Sequence, residues 1–144
     1  MEFLEQAFKL QVPSSPENLA MIREFVARVG AQAGLSEDDV AKLELVVDEA
    51  CANVIEHAYG NDVSQEITVL ATFDDKEIRI GIVDAGCGFD PSNVPSEELS
   101  KLIAERRSGG LGLRIIRTLM DQVRYEIEPG KKNELQMVKR LRKE

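Results

Sequence analysis

Apolar residues recur along the chain with two different periods, and the places where one period gives way to the other divide it into elements. From Gln6 to Val12 the residues alternate, with Phe8, Leu10 and Val12 set against Ala7, Lys9 and Gln11, until Pro13 and Pro16 interrupt the run. Alternation of this kind predicts a strand, and the prolines suit the edge of a sheet. A helical spacing then takes over through Leu19, Ile22, Phe25, Val26 and Val29. Ser14, Ser15 and Pro16 supply cap chemistry ahead of it, and Gly34 closes it after about Ala33. Ser36 caps a second helix, with Asp39 three residues on and acidic residues in the first turn, where the macrodipole favours them. That helix runs to about Tyr59 and Gly60, and Leu43, Val46, Val47, Ala50, Cys51, Val54 and Ala58 fall on one arc of it, the pattern of a face buried against a sheet.

Asn61-Asp62 turns the chain, and alternation returns from Glu66 to Phe73 and again through Ile78, Ile80 and Ile82. Two such runs joined by the short acidic turn at Asp74-Asp75 predict a hairpin. Next comes a stretch poor in apolar residues, with Pro95, a short helix from Ser96 to Glu105 and then Arg106 to Gly110, as expected of a lid. Helical spacing resumes from Leu111 to Met120, Val123, Tyr125 and Ile127 alternate, Pro129-Gly130 turns, and Leu135, Met137 and Leu141 mark a last strand. Helices interspersed with hairpins predict an α/β (α+β) fold, a two-layer sandwich whose mixed or antiparallel sheet is covered on one face by helices. A doubly wound parallel sheet fits less well, because Asp74-Asp75 is too short for a helical crossover. No internal repeat or low-complexity linker divides the chain, so residues 1–144 are expected to form one domain.

Composition narrows the partners. A formal net charge of −8 opposes general nucleic-acid affinity, which needs clustered cations to displace counterions from phosphates. The cations Lys131, Lys132, Lys139, Arg140, Arg142 and Lys143 gather near the C-terminus and read as a solvated strand edge and tail. No apolar run approaches a membrane span, and the acidic N-terminus lacks the features of a signal peptide, so a cytoplasmic location is expected. Cys51 and Cys87 are too few and too far apart for a zinc motif or a disulfide framework; Cys51 reads as a core residue, and Cys87 sits among glycines. The single histidine, His57, excludes a multi-histidine metal site and most nucleophile arrangements that need a histidine base.

Three short patterns carry the candidate chemistry. Glu49 and Asn53 stack one turn apart at the border of the apolar arc, either as an ordinary solvent-facing pair or as a carboxylate and carboxamide that hold a water, a hydroxyl or a metal-bound phosphate. Asp84-Ala-Gly-Cys-Gly88 follows a strand, where its glycines permit a tight turn and the approach of a flat ligand. An aspartate there can accept a hydrogen bond from an exocyclic amine, which adenine offers and guanine, with a carbonyl at that position, does not. Gly109-Gly110-Leu111-Gly112-Leu113 opens a helix, either as a hinge or as a cradle of backbone N–H groups for a phosphate chain. It is not a Walker A loop, since the Lys-Ser/Thr ending is missing.

Taken in this order, the three patterns resemble those of the GHKL ATPase superfamily with its Bergerat nucleotide-binding fold, and most closely the small anti-sigma-factor serine/threonine kinases. The resemblance covers nearly the whole chain: Glu49 to Asn53 with His57-Ala58-Tyr59, then Asp84 to Gly88, then Gly110 to Leu113 with the following Arg-Ile-Ile-Arg. It implies ATP/ADP binding with Mg²⁺. By position, Asn53 is the expected Mg²⁺ ligand, Asp84 the acceptor for the adenine amine, Gly86 and Gly88 the walls of the base pocket, and Gly110, Leu111, Gly112 and Leu113 the phosphate contact. Glu49 is the expected general base. A lid arginine that reaches the γ-phosphate is Arg106 or Arg107, with Arg107 preferred. The implied partners are a sigma factor that the protein sequesters, an anti-anti-sigma antagonist phosphorylated on serine or threonine, and a second copy in a homodimer. A non-catalytic, nucleotide-responsive binding module is the alternative, which the retained Glu49 disfavours. A detached histidine-kinase ATPase domain would need a partner to supply the phosphoacceptor, and gyrase-like and chaperone-like members are disfavoured because no stretch is left for a transducer domain.

Overall fold

In a computed structural model, the described residues are 5–85, 113–128 and 131–141. Five strands form one antiparallel sheet: β1 (Gln6–Pro13), β2 (Glu66–Phe73), β3 (Glu77–Asp84), β4 (Gln122–Glu128) and β5 (Lys132–Arg140), in the spatial order β1-β2-β3-β5-β4. The expected hairpin is β2–β3. Its turn is held by Asp74, whose Oδ1 accepts from the backbone N–H groups of Lys76 at 2.8 Å and Glu77 at 3.0 Å. Those two bonds hold the Asp74 carboxyl below the usual carboxylate range. β1 lies at the edge of the sheet, where its prolines are tolerated. The predicted segment 96–105 lies outside the described residues.

Register puts one set of alternating residues on the helix-covered face: Ile67, Val69, Ala71 and Phe73 from β2, Ile78, Ile80 and Ile82 from β3, and Leu135 and Met137 from β5, all buried. The helices α1 (Leu19–Ala33) and α2 (Glu37–Asn53) cover them, and α3 (Leu113–Leu119) packs beside α2. All seven residues of the predicted α2 arc are buried. Burial, aided by the nearby Asp48 carboxylate, pushes the Cys51 thiol well above its ordinary range, so it remains a protonated core group. No helix among the described residues is long and apolar enough to cross a membrane.

Cap chemistry follows expectation at the start of α2 and at the end of α1. Ser36 Oγ accepts from the Asp39 N–H at 3.2 Å. Gly34 adopts φ 101°, which a side chain would oppose, and lets Leu35 N–H return to Gly30 O at 3.0 Å. The start of α1 differs. A 3₁₀ turn at Pro16–Asn18 precedes it, and neither Ser15 nor Asn18 forms a side-chain cap. Ser14 is instead a buried strap: its N–H donates to Gln65 O at 2.8 Å and its Oγ to Asp62 O at 2.7 Å, which ties the α2–β2 connection to the end of β1.

Lys139 also departs from its expected place on a solvated edge. It occupies a core-facing position of β5, buried, with Nζ donating to Leu119 O at 2.8 Å and standing 3.8 Å from Asp39 Oδ1. Asp39 is itself buried in the first turn of α2. The ammonium therefore joins the C-terminal end of α3 to the N-terminal turn of α2 and to β5. Helix C-termini present unpaired carbonyls, which explains why a lysine rather than an apolar residue ends this row. Lys139→Met keeps the volume and removes the donor, so we expect a loss of about 1–3 kcal/mol in urea unfolding at unchanged m-value. A loss within about 0.5 kcal/mol, as for ordinary surface substitutions, would return Lys139 to the solvated edge.

Candidate active site

The helix α2 carries the first two candidate residues. Its buried stripe fixes its rotation, and Glu49 and Asn53, one turn apart, both lie half-buried at the border of that stripe. Asn53 is the last α-helical residue. Helical spacing predicts continuation to about Tyr59, but from Val54 to Ala58 the chain widens into a π-helical turn, with Tyr59 N–H bonded to Val54 O, five residues back, at 2.9 Å. Such widened turns are frequent at functional sites. Here the widening accompanies an inward Tyr59, buried, whose Oη donates to Glu66 O at 2.7 Å and accepts from Ala85 N–H at 2.8 Å. Gly60 at φ 55° and Asn61 at φ 65° then reverse the chain toward β2.

The third residue, Asp84, ends β3. It shares the parity of Ile78, Ile80 and Ile82 and so belongs to the helix-covered face, where it is buried. Across the ladder stands Asn133, also buried, whose Nδ2 donates to Asp84 Oδ1 at 2.9 Å. Among the described residues, the Asn133 Oδ1 is the buried side-chain oxygen or nitrogen without a hydrogen-bond partner. Leaving such an acceptor unpaired costs about 1–3 kcal/mol, so a ligand that donates to it is favoured there. A carboxylate beside a carboxamide oxygen is a pair of acceptors. It suits the N–H groups of an adenine amine and opposes a carbonyl at the same place. A cleft of about 390 Å³ at these strand ends is lined by residues that include Tyr59, Thr68, Val83, Asp84 and Lys132, but not by Glu49, Asn53 or Asn133.

Among the described residues no three His, Cys, Asp or Glu side chains converge as a metal cluster. Asn53, whose carboxamide offers a hard oxygen, is a residue that could hold Mg²⁺ together with phosphate and water oxygens, which is how Mg²⁺ is commonly bound. Leu113 is the first residue of α3. Gly86, Gly88, Arg106, Arg107, Gly110, Leu111 and Gly112 lie outside the described residues.

Asn133 and Tyr59 are the site residues that sequence reasoning did not assign a role. Asn133 had a signal: it occupies the apolar phase of β5 with Leu135 and Met137, and a polar residue in a core phase is the informative exception. Tyr59 stands in the motif His57-Ala58-Tyr59 that carries the resemblance, but nothing local gives its hydroxyl a task.

Known proteins resemble this chain in sequence and in fold. Residues 12–139 match the histidine kinase-like ATPase domain. Serine-protein kinase RsbW of Bacillus cereus strain AH187 is 32% identical over 134 residues, a match covering 90% of this chain and 82% of that protein. RsbW of Bacillus thuringiensis subsp. konkukian is 31% identical with the same coverage. Two solved structures share the fold. One holds the RsbU and RsbW domains of a Mycobacterium tuberculosis protein, with a TM-score of 0.68 at 20% identity over 94% of this chain and 32% of that one. The other, the SiaB-SiaC complex from Pseudomonas aeruginosa, gives 0.66 at 13% identity over 95% of this chain and 89% of that one. The chain belongs to the histidine kinase-like ATPase family, and within it to the serine-protein kinases.

Proposed function

We infer that this protein is an ATP- and Mg²⁺-dependent anti-sigma factor, which sequesters a sigma factor and phosphorylates a serine or threonine of an anti-anti-sigma antagonist. The observation that carries the nucleotide assignment is the buried Asp84–Asn133 pair with its unpaired acceptor oxygen, on the sheet face that α2 covers. The kinase assignment draws on the RsbW relatives and on the retained Glu49. The whole chain, 1–144, acts as one domain in this reading, in the cytoplasm and as a homodimer.

Phosphoryl transfer is mainly a matter of position and charge. Asp84 holds the adenine amine and sets the register of the nucleotide. Asn53 holds Mg²⁺, which when bound neutralises phosphate charge. Glu49, one turn earlier on the same helix, takes the proton from the substrate hydroxyl. Its half-buried position keeps it accessible to a docked protein side chain while the helix holds it still. Gly110, Leu111, Gly112 and Leu113 receive the phosphates through backbone N–H groups, Gly86 and Gly88 leave room for the base, and Arg107 stabilises the charge that develops on the transferred group.

The deciding experiment incubates the protein with γ-labelled ATP and purified candidate antagonists. Transfer to a serine or threonine supports the kinase, whereas nucleotide binding without transfer to any of them leaves a binding module. Glu49→Ala should retain ATP affinity and lower transfer by roughly 10²–10⁴ fold, and full activity would remove Glu49 from the chemistry. Asn53→Ala should abolish Mg²⁺-dependent nucleotide binding in calorimetry, and normal affinity would make Asn53 structural. Arg107→Ala should cost on the order of 10³ in the transfer rate, and a much smaller loss moves that role to Arg106 or eliminates it.

A further inference from the structure

The Tyr59 hydroxyl stands where two strands that support the site part company. The β2/β3 ladder runs from Phe73↔Ile78 to Thr68↔Val83. Continued by two residues in the same register, it would place Glu66 opposite Ala85. Those two are not joined directly. The Tyr59 hydroxyl lies between them, accepting from the Ala85 N–H at 2.8 Å and donating to the Glu66 carbonyl at 2.7 Å. A side chain from the end of the α2 segment is thus spliced into the sheet as a bridging group, and the ladder gives way to it immediately beside Asp84.

The consequence falls on Asp84. On its β5 side this residue is fixed by the Asp84↔Asn133 pair and the side-chain bond across it. On the other side, the backbone that follows it is held by a hydroxyl rather than by the neighbouring strand. A direct N–H to O=C bond would draw Ala85 toward Glu66, whereas an interposed oxygen, with a normal hydrogen bond on each side, keeps the strand ends apart. Because the ring is buried, the hydroxyl cannot swing away without disturbing the core.

We propose that Tyr59 is a positioning residue for nucleotide specificity: its hydroxyl, spliced between Glu66 and Ala85, sets the end of β3 so that the Asp84 carboxylate meets the adenine amine. This rests on the reading that Asp84 accepts that amine. Tyr59 also links the end of the segment carrying Glu49 and Asn53 to the strand carrying Asp84, so the phosphate-side and base-side parts of the site share one fastening.

The test measures ADP and IDP affinities by calorimetry, since the inosine base carries a carbonyl where adenine carries its amine. In the unaltered protein ADP should bind more tightly than IDP. Equal binding would overturn the Asp84 reading itself, and this proposal with it. Given that preference, Tyr59→Phe, which keeps the ring and removes only the hydroxyl, should weaken ADP by about three- to tenfold and leave IDP unchanged, so that the ratio narrows. Ser14→Ala is the control, because it removes another bond of the same connection, Ser14 Oγ to Asp62 O, without touching Ala85. An unchanged ADP/IDP ratio in Tyr59→Phe, or an equal narrowing in Ser14→Ala, would overturn the proposal. Should Tyr59→Phe fail to fold, amide exchange in the unaltered protein decides: the Ala85 N–H should be protected without nucleotide, and exchange at the rate of an open loop would rule the splice out.

Discussion

The rotation of α2 about its own axis is the setting on which the site depends. Leu43, Val46, Val47, Ala50 and Cys51 from the helix, with Val54 and Ala58 from the turn that follows, are buried. Each side chain of Val or Leu size is worth about 1.5–3 kcal/mol when removed from water. A shift of one residue turns a helix by about 100°, which would expose most of this stripe at a cost comparable to the roughly 5–15 kcal/mol that holds a whole domain folded. The direction in which Glu49 and Asn53 point is therefore set by apolar residues. The Arg23–Asp48 pair, at 2.6 Å and partly exposed, adds a polar contact between α1 and α2, but an exposed ion pair contributes about 1 kcal/mol at most and cannot decide the rotation.

With the helix fixed, the connection from α2 to β2 must deliver the chain to the sheet without disturbing it. The π-helical turn at Val54–Ala58 ends the α-helical phase immediately after Asn53. The reversal at Gly60 and Asn61 is then fastened twice, by Ser14 to Asp62 and Gln65 and by Tyr59 to Glu66. Asp62 is drawn into the same connection: the Ser64 hydroxyl and backbone N–H, with the Gln65 amide, hold its carboxyl below the ordinary range. Backbone groups that secondary structure leaves unpaired in this segment are thus met by side chains.

What could be read in the sequence follows from how far each feature depends on distant partners. The α2 stripe and the alternation of β2 and β3 are local periodicities, and their elements and buried faces emerge as expected. The place of Asp84 at the end of β3 is legible, because the alternation of Ile78, Ile80 and Ile82 runs up to it and glycines follow. Asn133 needed the β3/β5 register, which the alternation does not supply: 49 residues separate it from Asp84. Lys139 misleads for a related reason. Its neighbours Arg140 and Arg142 suggest a basic tail, and only the proximity of Leu119 O and Asp39 makes a buried ammonium tolerable. Ser14 has the composition of a cap, but the backbone at Gln65 and the Asp62 carbonyl compete for it and win.

The two buried polar groups of β5 show how structural and functional polarity differ within one strand. Asn133 and Lys139 are six residues apart, about 20 Å along the strand, both in the core-facing phase and both costly to bury. At the Lys139 end the cost is offset within the chain, since the ammonium finds a helix carbonyl and a carboxylate and ties three elements together. At the Asn133 end compensation is incomplete: the amide satisfies Asp84, and its own oxygen is left over. A fold selected for stability alone would favour apolar residues in place of such a pair, because a half-satisfied polar network is worse than a packed core. Burial therefore does not distinguish the two ends. The unmatched acceptor does: among the described residues, the side-chain oxygen left without a donor lies at the Asn133 end.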